Sequence, residues 1–219
     1  MMYIWIAVGV LSFGCMALSD HLCVEKKVPW AGALFPAGCM ILAAATVGML
    51  WISDFSEFGV WKIGMLCLSL VMLGLLVHSV VFALRQGGSD ALPPEPGQKQ
   101  PLVSEGVYAL CRHPGVLWLG GVYGFAWLAF GTWQWLAAAV LLTGADGLYA
   151  YWQDRVIFPR SIENYAAYQN QTPFLLPTRD SIHSCMVITP SIPPGEHTTD
   201  DFNPPVIIAY REEEKINEF

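Results

Sequence analysis

The sequence predicts an all-α fold, a polytopic membrane helix bundle with about five transmembrane helices. Three observations predict it. Of 219 residues, 54% are hydrophobic and only 13% charged, against about 25% charged in a soluble domain; mean hydropathy is +0.45. The apolar residues arrive in blocks close to the ~20 residues that carry a helix across a bilayer. The basic residues fall on one side of those blocks. A net charge of −7 argues against nucleic acid as a partner, because that partner requires basic patches; the partner in view is the lipid bilayer.

The first block, 1–18, has no Lys or Arg before it, as a signal peptide's leading region requires, and reads as a membrane helix. A polar loop at 19–27 leads to the second block, 29–52, with Pro29 suited to a first helical turn. Asp54 and Glu57 mark the next loop, and the third block runs 60–84. Residues 85–100 carry Gly87, Gly88, Pro93, Pro94, Pro96 and Gly97, an irregular linker. A polar collar at 101–114 precedes the fourth block, 115–130. Gly131-Thr132 is a tight turn, and the fifth block is 133–152. Beyond it, 158–177 is an amphipathic stretch that lies on the membrane surface or caps the bundle. The Pro-rich tail 178–219, with its acidic run 212–214, reads as largely disordered apart from a short strand at 206–210. Three regions result: three N-terminal helices (1–84), a cofactor-binding loop with a helical hairpin and cap (85–177), and the tail (178–219).

Lys26, Lys27, Arg85, Lys99, Arg112, Arg155, Arg160, Arg179, Arg211 and Lys215 share one side of a five-span arrangement, and Lys62 sits near the other. The positive-inside rule makes the shared side cytoplasmic, with the N-terminus outside and the tail inside. Cys15, Cys39 and Cys67 lie in apolar blocks as small hydrophobes. With no CxxC or Cys/His spacing, neither a disulfide framework nor a metal is expected.

The last two blocks form a hairpin. Gly115, Gly120, Gly121 and Gly124 on one, and Ala137, Ala138, Ala139, Gly144 and Gly147 on the other, permit close approach. The hairpin returns Gln153, Asp154 and Arg155 to the side of Arg112 and His113. Ionisable groups at a membrane boundary mark a site; the alternative is an Arg–Asp pair that sets helix depth. Asp146 falls about two turns deeper than Gln153 on the same face, either lining a cavity or bonded to a neighbouring polar group. His78 in the third block poses the same choice. Tyr149, Tyr151 and Trp152 read as an interfacial belt.

Leu102-Val103, Gly106, Tyr108 and Arg112-His113-Pro114 match the pattern Leu-Val-x-x-Gly-x-Tyr-x-x-x-Arg-His-Pro. The pattern resembles the isoprenylcysteine carboxyl methyltransferase and phospholipid N-methyltransferase group of integral membrane enzymes. Tyr165 and Tyr168 stand where that family has Tyr-x-x-Tyr, and Gln153-Asp154 where it has Glu-Glu. The likeness covers about 60–177. It implies S-adenosylmethionine as cofactor, bound from the cytoplasmic side, and a lipophilic acceptor entering from the bilayer. Carried over, the cofactor-binding residues are Leu102, Val103, Gly106, Tyr108, Arg112, His113, Pro114, Gln153 and Asp154, with Arg112 and His113 catalytic. Gln153 departs from the family's acidic pair and leaves one charge where two are usual.

The chemistry suits these residues. Methyl transfer from a sulfonium needs alignment rather than a metal. A carboxylate such as Asp154 suits the cofactor's ammonium, while Arg112 suits its carboxylate or orients Asp154. Helix-end N–H groups near Pro114 offer further donors. His113 suits cofactor contact, or a proton from an amine or thiol acceptor; a carboxylate acceptor needs no base. Two other functions remain open: an NADPH-dependent membrane reductase, resembling the sterol reductases, and a non-catalytic membrane relative.

Overall fold

The computed structural model describes residues 1–56, 59–86, 99–179 and 181–182, all within one unit, Met1–Val187. The expected linker (87–98 of it) and the tail beyond 182, with its strand and acidic run, lie outside the described residues. Secondary structure among the described residues is helical apart from an isolated bridge between Gln100 and Ile162.

Five long helices form the bundle: α1 (Met2–Asp20), α2 (Leu34–Trp51), α3 (Val60–Gln86), α5 (Pro114–Phe130) and α6 (Trp133–Trp152); the short helix α4 (Val107–Leu110) precedes α5. Local chemistry sets their ends. Pro29 opens a 3-10 turn (Pro29–Ala33) that feeds α2, and Pro114 opens α5, where the missing N–H costs nothing. Gly131 closes α5 at φ +67°, its N–H donating to the Trp127 carbonyl at 2.7 Å, a left-handed cap that glycine adopts without strain.

One boundary differs from expectation. The first helix does not end at 18: α1 runs to Asp20 and continues as a π-helical turn, His21–Glu25. The polar residues there have partners inside the protein and do not need a loop. Ser19 donates to the Ala31 carbonyl at 2.9 Å, and Asp20 is met from α6.

Packing runs α3 on α5, α5 on α6, α6 on α1 and α1 on α2. The row curls, because Tyr123 of α5 reaches Thr46 of α2 with oxygens 2.7 Å apart. The core is Ile6, Phe13 and Met16 from α1, Met49 from α2, Leu119 and Tyr123 from α5, and Trp135, Ala138 and Leu142 from α6. Outside it, Trp61, Leu70, Val77 and Val140 are exposed, a surface suited to lipid rather than water. Three helices are long and apolar enough to cross a membrane: Met2–Glu25, Trp30–Trp51 and Val60–Val81. The chain is a membrane protein on that ground.

Small residues serve more contacts than the hairpin alone. Gly120 meets Thr143 of α6, whose Cγ2 would lie 3.2 Å from an added methyl, whereas Gly121 faces Met72 of α3 at 2.6 Å. Gly124 and Gly144 have nothing within 4 Å of that position. The tightest approach to backbone is between α1 and α2: a methyl on Gly38 would sit 2.9 Å from the Ser12 carbonyl oxygen and 2.7 Å from Met16 Cγ. Overpacking of this kind costs roughly 1–3 kcal/mol. Gly38→Ala is therefore expected to lower the thermal unfolding temperature in detergent by several degrees, and Gly14→Ala, with open space around it, to leave it unchanged or slightly raised.

Candidate functional site

The collar and the end of α6 meet as the hairpin requires. Arg112 precedes α5, and Asp154 sits in a π-helical turn, Gln153–Ile157, that continues α6. Arg112 Nε donates to Asp154 Oδ1 at 2.8 Å and Nη2 to Oδ2 at 3.1 Å, a bidentate pair with matched planes. It is buried, with side-chain exposures of 9% and 1%.

The cap completes the pair. Two short helices, α7 (Phe158–Ser161) and α8 (Tyr165–Gln171), follow the π turn. Tyr165 donates to Asp154 Oδ1 at 2.7 Å, and Gln169 Nε2 donates to Oδ2 at 3.1 Å and to the Asp154 carbonyl at 2.8 Å. Arg112 Nη1 donates to the carbonyls of Gln169 (2.9 Å) and Thr172 (2.5 Å). The backbone follows suit: the N–H groups of Arg112 and His113 donate to the Pro173 and Phe174 carbonyls at 2.9 and 3.2 Å. These two amides are therefore committed to the cap.

His113 is enclosed by rings. It stacks on Phe158 with centroids 5.7 Å apart and meets Phe174 at 5.1 Å. Its Nε2 lies 3.5 Å from Asp154 Oδ1, yet this buried atom has no hydrogen-bond partner. A buried polar atom left unsatisfied is uncommon and asks for a reason.

Tyr108, on α4, spends its hydroxyl on the Ser79 carbonyl of α3 at 3.1 Å, while its own carbonyl accepts from Tyr168 at 2.6 Å. Gly106 starts α4 at φ 60°, ψ −128°, backbone that only glycine enters freely. Leu102 and Val103 are partly buried in the approach to it. That approach is stitched to α7 through Gln100, which donates to the Ser161 carbonyl at 2.7 Å and accepts from the Glu163 N–H at 2.9 Å.

Gln153 goes elsewhere. Successive residues of the π turn point apart: Asp154 faces the collar, and Gln153 faces α1, where its Nε2 donates to Asp20 Oδ2 at 2.7 Å and lies 2.8 Å from the Tyr149 hydroxyl. Tyr149 donates to the same Asp20 oxygen at 2.6 Å. Arg155 turns out over the Tyr151 ring, 5.6 Å from its centroid. Asp146 is partly buried, and among the described residues it forms no hydrogen bond or ion pair. Sequence reasoning missed Asp20, read as part of a loop, and Gln169, although its i, i+4 spacing from Tyr165 places both on one face of α8.

Electrostatics follow from burial and partners. Burial opposes ionisation of Asp154, but the His113 imidazole, the Arg112 guanidinium and the Tyr165 hydroxyl more than offset it and hold the carboxyl well below the usual carboxylate range. Burial pushes the Tyr108 hydroxyl up to about 12 and the Cys111 thiol up to about 11. Burial, followed by the Asp154 carboxylate, raises the Tyr165 hydroxyl as well. Asp154 is thus an anion and these three groups are neutral at pH 7.

In comparisons with family models, curated proteins and solved structures, nothing matches this chain.

Breaking a buried pair by removing one partner costs roughly 3–5 kcal/mol, because the other charge is left uncompensated. Asp154→Asn is expected to lower the unfolding temperature at pH 7. A carboxylate whose folded pKa is depressed stabilises above its unfolded pKa, near ~3.9, and loses that contribution as pH falls toward the folded value. The gap between wild type and Asp154→Asn should hold constant from pH 8 to 5 and close below about pH 4, as read by thermal melts across pH.

Proposed function

We propose that this chain is an integral membrane methyltransferase, using S-adenosylmethionine to methylate a lipophilic or amphiphilic acceptor at the cytoplasmic face. The observation that carries this reading is the buried Arg112–Asp154 pair, 42 residues apart, with the orphaned His113 Nε2 beside it. Both lie in the blocks that resemble the membrane methyltransferases. Five spans with the N-terminus outside accord with the one-sided basic residues. At 1.5 Å per residue, α5 is about 26 Å long and α6 about 30 Å, near the ~30 Å of a hydrocarbon core.

The residues fit the cofactor through His113 and its aromatic walls. A sulfonium cation suits aromatic ring faces, and Phe158 and Phe174 are the rings beside His113, the second with the Arg112 guanidinium 5.8 Å from its centroid. When bound, the cofactor supplies an electrophilic methyl. Arg112 and Asp154 act on this site indirectly: each is engaged by the other and by the cap, so they hold the His113 ring in place. His113 Nε2, buried 3.5 Å from Asp154 Oδ1, is the polar atom that would contact the cofactor or take a proton from an amine or thiol acceptor.

A second reading has its own observation. Four of the five N–H donors of Arg112, the acceptors of Asp154 and the two collar amides are engaged within the protein, as in a structural latch. A membrane relative without activity needs nothing more. Titrating the purified protein in detergent with S-adenosylmethionine and separately with NADPH divides the readings. Saturable binding of S-adenosylmethionine, weakened at least tenfold by His113→Ala, is expected. Binding of NADPH alone contradicts methyl transfer in favour of a reductase, and binding of neither favours the latch.

A further inference from the structure

At the end of the bundle opposite the collar, α2 and α5 finish while α3 and α6 begin. A polar cavity of about 560 Å³ opens there, with Asp54, Lys62, Phe130, Thr132, Gln134 and Trp135 in its lining, a size usual for ligand sites. Its aromatic wall is fixed: Phe130 stacks on Trp135 at 5.0 Å and meets Phe55 edge-on at 5.3 Å, and Trp135 Nε1 donates to Ser53. The Lys62 ammonium lies 5.6 Å from the Phe130 centroid and has one long hydrogen bond, 3.4 Å to the Asp54 carbonyl. Among the described residues it forms no ion pair. The exposed Asp54 carboxylate accepts from the Ser56 N–H at 2.8 Å, which holds the carboxyl below its ordinary value. Glu57, the other acidic residue of this loop, lies outside the described residues. The side chains of Thr132 and Gln134 form no hydrogen bond among the described residues.

A second cavity, of about 480 Å³, is apolar and runs between Trp5 of α1 and Ala44, Val47, Gly48 and Trp51 of α2. Ile52 lines both cavities, so the polar space continues into the apolar one. From Ile52 back to Ala44 the groove follows about 12 Å of helix toward the middle of the bundle. Trp51, Trp61 and Trp133, at this same end, are 86%, 65% and 79% exposed. Exposed tryptophans gather at the depth of lipid headgroups. A polar cavity at headgroup depth with an apolar groove leading inward from it has the shape of an amphiphile.

We propose that the two cavities together bind one phospholipid, its phosphodiester on the Lys62 ammonium and an acyl chain in the groove between Trp5 and Ala44. The Lys62 contact is a charge-assisted hydrogen bond, with Thr132 and Gln134 as neutral donors beside it. Asp54 shares the cavity, so a headgroup that carries an ammonium is favoured over one that is only anionic. The site lies at the far end of α5 and α6 from His113 and does not rest on the methyl-transfer reading.

The test titrates the full-length protein, in a maltoside detergent, with dihexanoylphosphatidylethanolamine, dihexanoylphosphatidylglycerol and inorganic phosphate in separate arms. Wild type is expected to bind both lipids saturably and inorganic phosphate far more weakly. Lys62→Gln should weaken both lipids roughly tenfold or more, the factor set by a hydrogen bond to a charged group. Lys62→Arg keeps the charge and should retain binding, which separates a lost contact from a misfolded protein. Ala44→Phe fills the groove and should weaken the lipids while leaving the phosphate arm unchanged. Asp54→Asn should weaken the ethanolamine lipid alone; an equal effect on both lipids removes Asp54 from the headgroup contact. Unchanged lipid affinity in Lys62→Gln overturns the phosphate contact, and unchanged affinity in Ala44→Phe overturns the groove. Inorganic phosphate binding as tightly as the lipids, or no saturable lipid binding by wild type, overturns the phospholipid site and leaves methyl transfer standing.

Discussion

The buried Arg112–Asp154 ion pair is the interaction on which this end of the bundle depends. Two charges withdrawn from water lose several kcal/mol of hydration each, and their attraction recovers this only when every remaining donor and acceptor is satisfied. That requirement explains the surroundings. Asp154 takes bonds from Arg112, Tyr165 and Gln169, and Arg112 Nη1 donates to the Gln169 and Thr172 carbonyls. The loop before α5, the turn after α6 and the cap α8 thus converge because one pair needs all three.

The rest of the bundle follows the opposite economy. Its surface is apolar and its polar contacts include Tyr123 with Thr46, Trp135 Nε1 donating to Ser53 at 3.0 Å and Ser69 donating to the Val122 carbonyl at 2.8 Å. In lipid, helix association draws on close packing and such bonds rather than on the hydrophobic effect. Gly38 beneath Met16 and Gly121 beneath Met72 supply the closeness. The polar collar at one end is therefore an exception inside an apolar frame, and exceptions of this cost are where function is sought.

Much of this was legible in the sequence, and the reasons are local. Pro114 and Gly131 bound α5 because proline and glycine have backbone requirements that context rarely overrides, and α6 occupies 133–152 as its apolar run implies. The Arg112–Asp154 meeting follows from hairpin geometry alone. Other features depend on tertiary contacts. Asp20 and Ser19 extend α1 because partners on α6 and at Ala31 satisfy them, and polarity by itself suggests a loop. Gln153 and Asp154 are adjacent in sequence and read as one acidic-pair position, but the π turn sends them to different neighbours. The commitment of the collar's own amides to Pro173 and Phe174 has no sequence signal, since any residue offers a carbonyl.

The Arg112–Asp154 pair clamps the cap onto the hairpin and so holds His113 between its aromatic neighbours. Hydrogen exchange in detergent, followed by mass spectrometry on wild type and Asp154→Asn, tests it directly. Faster exchange across 165–174 and at 112–113 in the variant, with α2 and α3 unchanged, is the expected result. Equal protection of the cap in both proteins would contradict the claim.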